Sequence, residues 1–232
     1  SQRPEQDFRS DTILTVLSCI LYIHGMGGGE DSRTPRALNE LLPDCPTVIR
    51  NYSFDPETAV REIEAWVEEL KPCLIISESM GANYGILVGK GIAHIYLSPA
   101  FGAPVWIANL CWFSLIPGVP ALLSRIFRPR PGKRQALDFH FRPAYHFVAL
   151  RRRVRAALKE GDNMSQAWFG SKDGYRRWGV VNIRRWQRFF GKKCCHIDDN
   201  SHFWEKERVT DSGLLDEIRR LTEPYITSDK RP

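Results

Sequence analysis

Residues 73–85 have the sequence CLIISESMGANYG, and this stretch determines how the rest of the chain can be interpreted. Four apolar residues lead into Ser77, and small residues follow Ser79. This order predicts a buried strand, a tight turn with a serine at its tip, and a helix packed closely against its neighbours. A serine on such a turn points its hydroxyl away from the backbone and close to a helix N-terminus. A nucleophile needs both conditions.

The turn is close to the pattern G-x-S-x-G, but Ser77 stands where the first glycine is usual. Serine carries a Cβ atom that glycine lacks. Either the turn is slightly opened, therefore, or the neighbouring helix leaves room for the side chain. Short patterns of this kind also occur in strand–turn–helix units without a catalytic role. The interpretation of Ser79 consequently depends on the rest of the chain.

The chain has 232 residues, enough for one domain with a full core. Its six cysteines show no C-x-x-C spacing, so we interpret them as reduced and expect neither a structural metal nor a cofactor. No signal peptide is recognised, and the apolar run at 13–23 is interpreted as a core strand. These features predict a cytoplasmic protein.

Apolar runs and helical patterns alternate along the first hundred residues. Strands are predicted at 13–23, 47–52, 73–76, 94–98, 166–170 and 193–197. Helices are predicted from about residue 34, from residue 55, at 80–88, 143–159 and 175–190, and at about 211–221. The alternation predicts an α/β fold, with a mostly parallel central sheet of about six strands and helices on both faces.

The alternation is interrupted after residue 99. Residues 105–127 are strongly apolar, but Pro117, Gly118 and Pro120 break the run, which argues against a membrane-spanning helix. We predict two short amphipathic helices that cap the C-terminal edge of the sheet, closed by a loop at 128–133. Association of this cap with a membrane surface is a weaker hypothesis.

The predicted organisation is a core and one insertion. The core comprises residues 12–99 and 143–222, and residues 100–142 form the cap or lid insertion.

Three loops that follow predicted strands each hold one residue suited to nucleophilic catalysis, in the order Ser79, Asp173, His202. The C-terminal ends of parallel strands meet at one edge of a sheet, so these residues can converge there. A serine hydroxyl needs a base, which histidine supplies, and a carboxylate fixes the imidazole tautomer and stabilises its cation. The order Ser…Asp…His is that of α/β-hydrolases.

At these motifs the sequence resembles the α/β-hydrolase family, and in particular small bacterial serine hydrolases of the esterase type. The matching motifs are HGMGG at 24–28, SESMG at 77–81, FGSKD at 169–173 and NSHF at 200–203. The resemblance covers about residues 13 to 222. It implies the α/β-hydrolase fold and cleavage of a carboxylic ester or thioester through an acyl-enzyme intermediate.

Transferred to the matching positions, the resemblance implies Ser79 as the nucleophile, His202 as general base and acid, and Asp173 as the orienting carboxylate. The backbone N–H groups of Met26 and Met80 would form the oxyanion hole. The expected partner is a small-molecule acyl ester substrate.

Other residues compete for two of these roles. His196 competes with His202, but it alternates within a predicted strand and is more typical of a core or surface residue. Asp198 and Asp199 compete with Asp173, although they lie very near His202 in sequence. Either of them could serve as a substitute acid.

Two further residues near the motifs receive supporting roles. His24 is interpreted as a residue that stabilises its loop. Glu78, next to the nucleophile, is expected to tune the local field without taking part in covalent steps.

Positive charge is concentrated in the second half of the chain, and the formal net charge is +6. The simplest interpretation of the arginine-rich segments is solvated helix faces, and the functional alternative is a basic rim that attracts an anionic substrate or surface. No nucleic-acid-binding module is recognised, so no nucleic-acid partner is predicted. The alternative function is a catalytically inactive, hydrolase-like module that binds an acidic ligand or a protein partner.

Overall fold

The structure, a computed structural model, describes residues 18–127, 134–161 and 165–228. A parallel β-sheet of six strands lies at the centre of these residues. The strands are β1 Ile20–Ile23, β2 Thr47–Ile49, β3 Leu74–Glu78, β4 Ala93–Leu97, β5 Ser165–Gly170 and β6 Cys195–Asp198. Their order is β2-β1-β3-β4-β5-β6, and every neighbouring pair is parallel. The predicted α/β class and strand number are confirmed.

Helices connect the strands and cover both faces of the sheet. They are α1 Arg33–Leu41, α2 Pro56–Leu70, α3 Ala82–Gly85, α4 Ala103–Phe113, α5 Val119–Ile126, α6 Phe141–Glu160, α7 Ile183–Phe190, α8 Lys206–Asp211 and α9 Leu214–Ser228. Short 3-10 helices span Ser79–Gly81, Gly174–Trp178 and Lys192–Cys194.

Each face of the sheet has its own apolar core. In β1, Leu21 and Ile23 pack into the cluster that includes α2, α3, α6 and α7, whereas Ile20 and Tyr22 pack into the cluster with α1, α8 and α9. All four side chains are fully buried or nearly so. Burial on both faces explains why this strand is a continuous apolar run and does not alternate with polar residues.

The second helix begins where the sequence predicts it. The Asp55 carboxylate accepts a hydrogen bond from the Thr58 N–H at 3.1 Å, and Pro56 occupies the first helical position. The cap satisfies one free N–H group of the first turn, and proline needs no acceptor there.

Residues 175–190 do not form the single helix predicted for them. The chain forms a 3-10 helix over Gly174–Trp178, reverses at Gly179 with φ +66°, and begins α7 after Asn182, whose side chain accepts from the Arg185 N–H at 2.9 Å. A left-handed glycine followed by a helix-capping asparagine accounts for the break.

Other element ends also differ from the prediction. The helix predicted to reach residue 88 ends at Gly85. The terminal helix predicted at 211–221 begins at Leu214 and reaches Ser228, and Gly213, with φ +74°, separates it from α8. The strand predicted at 47–52 ends at Ile49. The predicted core boundary at residue 12, the strand segment 13–17 and the loop at 128–133 lie outside the described residues.

Between β4 and β5, α4 packs mainly against α6 and buries Ile107, Ala108 and Cys111. By contrast, α5 buries Leu123 and exposes Leu122 and Ile126. The division into a core and a cap at 100–142 stays a prediction.

In the part of the chain that the structure describes, no helix combines the length and apolar character needed to cross a membrane. The cytoplasmic location stays a prediction as well.

The helix after the Ser79 turn leaves room for Ser77. Ser77 is fully buried in β3, and its hydroxyl has no hydrogen-bond partner among the described residues. A Cβ atom placed on Gly85 would lie 2.2 Å from Ser77 Oγ. The chain therefore has a glycine in α3 opposite the serine that replaces the usual glycine in β3.

This pairing predicts how two substitutions interact. Gly85→Ala should lower the free energy of unfolding by about 1–3 kcal/mol, because overpacking forces a shift in the core. With Ser77→Gly the clash disappears, and the same change should be neutral or stabilising, because alanine favours helix over glycine by about 1 kcal/mol. Chemical denaturation of the single and double variants measures this coupling.

Gly174→Ala is the matched control for this cycle, since a Cβ atom there meets nothing within 4 Å. It should leave stability almost unchanged. An equal loss from Gly85→Ala in both backgrounds would contradict the proposed contact with Ser77.

Candidate active site

A pocket of about 760 Å³ opens at the C-terminal edge of the sheet. Its walls are mainly apolar and come from the loop after β1, from α4 and from the segment before α7. Ser79 and His202 lie in its lining. Among the apolar residues that line it are Met26, Trp106, Ile107, Leu110, Phe127 and Val180.

Ser79 directly follows β3 and has a left-handed backbone conformation, with φ +52°. For a residue other than glycine this conformation costs on the order of 1–3 kcal/mol, so the surroundings must enforce it. Two glycines allow the necessary close approach. A Cβ atom on Gly81 would lie 2.4 Å from the Ile23 carbonyl oxygen, and one on Gly25 would lie 3.1 Å from Ser79 Cβ.

Ser79, His202 and Asp173 form one hydrogen-bonded chain. His202 Nε2 lies 2.7 Å from Ser79 Oγ, and His202 Nδ1 lies 2.7 Å from Asp173 Oδ2. The Asp173 side chain is fully buried, and its second oxygen accepts the Tyr175 N–H at 2.9 Å. Because a carboxylate only accepts, the proton belongs on Nδ1, which leaves Nε2 free to accept the serine proton.

The competing residues lie elsewhere and have other partners. His196, on β6, stacks on Trp168 with ring centroids 4.1 Å apart, and its Nε2 lies 3.0 Å from Gln166 Oε1. Asp199 accepts from Lys172 Nζ at 2.8 Å. Asp198 lies at the end of β6, with one carboxylate oxygen 3.9 Å from Arg208. Asp173, not Asp198 or Asp199, is the carboxylate bonded to His202.

Packing fixes the loop that carries His202. A Cβ atom on Gly170, at the end of β5, would lie 2.0 Å from the Ser201 carbonyl oxygen, so only glycine lets the two loops cross this closely. The rings of Tyr175 and Phe203 contact the imidazole, with centroids 4.5 Å and 5.3 Å away. These contacts hold the imidazole between Ser79 and the carboxylate.

The two predicted backbone donors both belong to the lining of the Ser79 pocket. Met80 follows Ser79 directly, and Met26 lies in the glycine-rich loop after β1. Among the loop, turn and cap hydrogen bonds of the described residues, none uses the N–H of Met26 or Met80. The next N–H of the loop, that of Gly27, donates to Gln135 Oε1 at 3.0 Å.

Gln135 fixes the glycine-rich loop, and the sequence did not reveal this residue. It is buried, its Nε2 donates to the carbonyls of Tyr52 and Ser53 at 3.2 Å, and its own N–H donates to the Gly28 carbonyl at 2.8 Å. No motif identifies a glutamine that lies more than a hundred residues from its partner. Its role is visible only from its burial and its hydrogen bonds, which the sequence does not report.

His24 also contacts the glycine-rich loop after β1. Its Nδ1 donates to the Gly25 carbonyl at 2.7 Å, its ring stacks on Tyr52 at 4.4 Å, and its Nε2 is buried without a hydrogen-bond partner among the described residues. Burial lowers the pKa of His24 to about 4, and the hydrogen bond to Gly25 only partly opposes this change. The imidazole is therefore neutral at pH 7.

Glu78 is a buried residue at the end of β3, directly before Ser79. Burial raises its pKa, while the hydrogen bond from the Tyr22 hydroxyl at 2.9 Å and the nearby His202 partly oppose this rise. Glu78 and His202 both belong to the pocket lining, and they are close enough for the positive charge of a protonated imidazole to lower the pKa of the carboxyl group.

In residues 18–127, 134–161 and 165–228, no group of three or more histidine, cysteine or acidic side chains could hold a metal ion.

Comparisons with known proteins relate the chain to solved structures. No protein-family model matches the sequence, and no curated protein matches it either. A metagenome-derived lipolytic enzyme is 14% identical with a TM-score of 0.54, and the match covers 91% of this chain and 94% of that one. A carboxylesterase of the thaumarchaeon Nitrososphaera gargenis is 14% identical with a TM-score of 0.53, and the match covers 93% of both chains.

A third solved structure has a different description. The proline iminopeptidase-related protein of Thermus thermophilus is 12% identical with a TM-score of 0.51, and the match covers 92% of both chains. These similarities extend over nearly the whole chain at low identity. They show that the protein has the α/β-hydrolase fold, as its sequence motifs predicted.

The buried His24 predicts an acid-dependent loss of stability. Its pKa is near 6.5 in the unfolded chain and about 4 in the fold, so the unfolded state binds more protons between these values. Stability should therefore fall as pH decreases from 6.5 to 4, with about 3 kcal/mol from this residue. Denaturation curves at several pH values should show a shallower decline for His24→Phe.

His24→Phe retains the stacking on Tyr52 but loses the hydrogen bond to Gly25, so it should be less stable than wild type at pH 7. The informative quantity is the slope of stability against pH. Parallel curves for the two proteins would show that His24 does not titrate on unfolding.

Proposed function

We propose that the protein is a serine hydrolase that cleaves a carboxylic ester with an apolar acyl group. The observation that supports this proposal most directly is the hydrogen-bonded chain Ser79–His202–Asp173 at the base of an apolar pocket. Two of the proteins with similar solved structures are described as a lipolytic enzyme and a carboxylesterase, which agrees with the proposal.

In the proposed acylation step, His202 Nε2 removes the proton from Ser79 Oγ as this oxygen attacks the ester carbonyl carbon. Asp173 keeps the imidazole in the required tautomer and stabilises the imidazolium. The Met26 and Met80 N–H groups bind the oxyanion, and each such donor typically contributes about 3 kcal/mol to transition-state stabilisation. His202 then gives the proton to the leaving alkoxide, and the acyl group stays on Ser79.

Deacylation repeats the chemistry with water as the nucleophile. His202 accepts a proton from the water that attacks the acyl-enzyme carbonyl, and returns it to Ser79 Oγ as the carboxylic acid leaves. A thioester would follow the same path with a thiol as the leaving group. Because the residues involved are the same, thioester cleavage belongs to the same proposal.

The charges around the pocket favour a neutral acyl group. The lining contains two arginines, Arg33 and Arg134, and each is paired with a carboxylate: Arg33 with Glu205, and Arg134 with Asp31 at 2.8 Å. These pairs leave little positive potential in this part of the pocket. A basic rim that attracts an anionic substrate, the functional alternative considered from the sequence, would need such a potential here. The apolar walls suit a hydrocarbon chain better.

Replacement of the nucleophile tests the proposed reaction. Ser79→Ala should reduce hydrolysis of p-nitrophenyl esters by at least about 10³-fold and abolish labelling by a fluorophosphonate probe. Asp173→Asn should retain labelling at a much lower rate, because the imidazole loses the acceptor that fixes its tautomer. Mass spectrometry of the labelled protein identifies the modified residue.

Ser124→Ala is the matched control, because Ser124 is an exposed serine whose hydroxyl bonds within α5 to the Ala121 carbonyl. It should label and turn over like wild type. If folded wild-type protein neither labels nor hydrolyses any activated ester, the inactive binding module becomes the better description.

The pocket walls predict how activity depends on acyl length. Each added methylene buried in the pocket contributes about 0.8 kcal/mol, so kcat/KM should rise about fourfold per methylene until the pocket is filled. Leu110→Trp adds bulk to the wall formed by α4 and should move the optimum to shorter chains. A p-nitrophenyl ester series measures both effects.

Leu122→Trp is the control for added bulk, since Leu122 lies on α5, exposed and outside the pocket lining. It should leave the length optimum unchanged. A length profile that is flat in wild type, or equally shifted by both substitutions, would contradict an acyl site against α4.

A further inference from the structure

A second cleft, of about 530 Å³, lies between α6 and α7. It shares no lining residue with the pocket above Ser79. Its lining includes five cationic side chains, two from α6 and three from α7: Arg155, Lys159, Arg184, Arg185 and Arg188. Within the part of the chain that the structure describes, no acidic residue belongs to this lining.

The fold brings two basic stripes together that are separate in sequence. On α6, Arg151, Arg155 and Lys159 recur every four residues and therefore lie on one face of the helix. On α7, Arg184 and Arg188 have the same spacing. A sequence-based interpretation as two solvated helix faces does not account for their position on opposite sides of one cleft.

These charges are not balanced by neighbouring carboxylates. Among the described residues, none of the five cleft cations lies within the 4.0 Å ion-pair distance of an acidic group. Glu160, which follows Lys159, lies 3.8 Å from Lys90 instead. Arginines elsewhere do have acidic partners, as in Arg50–Glu69 at 2.6 Å. Other described arginines, such as Arg36 and Arg61, also lack an acidic partner within this distance, so what distinguishes the five cleft cations is that they line one cleft.

Arg185 occupies the most enclosed position of the five. Burial lowers its pKa, and the positive charges of Arg155 and Arg151 lower it further. The hydrogen bond from its N–H to Asn182 fixes the start of α7, so this turn cannot easily move away from the other charges. Convergence of like charges destabilises the fold unless an anion offsets it.

We propose that this cleft binds a ligand that carries two or more phosphate groups. Arginine forks match phosphate oxygens with paired, charge-assisted hydrogen bonds, and they remain charged even when half-buried. Several negative charges on one small group can offset several of the five cations, whereas a single carboxylate offsets only one. The same chemistry is found in a free polyphosphate and in a phosphorylated lipid headgroup.

The site is separate from the proposed hydrolase centre, so its occupancy does not depend on the reaction at Ser79. Calorimetric titration with sodium tripolyphosphate at low ionic strength tests it directly. Wild type should bind, and the double variant Arg155→Gln/Arg188→Gln should bind at least about tenfold more weakly, because it loses two charge-assisted contacts to the phosphates.

The double variant Arg36→Gln/Arg61→Gln is the matched control. It removes the same charge from exposed positions on α1 and α2, and its affinity should stay within about twofold of wild type. Thermal unfolding without ligand separates loss of the site from loss of the fold. Relief of repulsion should keep the midpoint of the cleft variant equal to or above that of wild type, whereas the control gains nothing from this source.

Vesicle sedimentation distinguishes the two ligand sources. Binding to phosphatidylcholine vesicles that contain phosphatidylinositol 4,5-bisphosphate, without binding of free tripolyphosphate, would identify a headgroup site. Binding of free tripolyphosphate that the vesicles do not reproduce would identify a soluble ligand. Absence of both, or equal affinities in the cleft and control variants, would overturn the proposal.

Discussion

The rest of the structure depends on how closely the backbone at Ser79 approaches the end of β1. Its left-handed conformation, with φ +52°, is tolerated because Gly81 allows a backbone contact that a side chain would not permit, and because Gly25 leaves room for Ser79 Cβ. The close approach at Ser79 also requires β1 and β3 to be neighbours, and these two strands are paired in the sheet. A local strain is thus maintained by the central strand pair, whose side chains are buried on both faces. The buried strand pair therefore holds the Ser79 backbone in place, as a nucleophile would need.

Burial and hydrogen bonding act together at Asp173 and His202, the two residues linked to Ser79. The Asp173 side chain is excluded from water but accepts from both His202 and the Tyr175 N–H, so its charge is compensated by directed donors. A carboxylate held in this way orients an imidazole more strictly than a solvated one, because it has no competing water partners. The three loops that follow β3, β5 and β6 are thereby connected by two short hydrogen bonds. The parallel sheet places these loops at one edge, and the hydrogen bonds fix their separation.

The sequence was informative where one residue or one strand determines the outcome. The apolar runs predicted the strands, and the shared edge of strand ends in a parallel sheet predicted that Ser79, Asp173 and His202 can converge there. Features that depend on contacts between distant segments were not predictable. Gln135 has no motif, and the basic stripes of α6 and α7 carry no sign that they face each other. The predicted helix at 175–190 was wrong, because the helical pattern of apolar residues outweighed the break at Gly179.

Gln135 also links the segment before α6 to the glycine-rich loop after β1, two parts that are distant in sequence. It lies on the segment between the apolar helices and α6, yet it holds the loop that carries Met26 through Gly27 and Gly28. Exchange of residues 103–127 for a segment from another protein with this fold would keep this connection, whereas exchange extending to residue 140 would remove it. The position of the glycine-rich loop therefore depends on the segment before α6, and a redesign of the pocket wall formed by α4 has its natural boundary before Gln135.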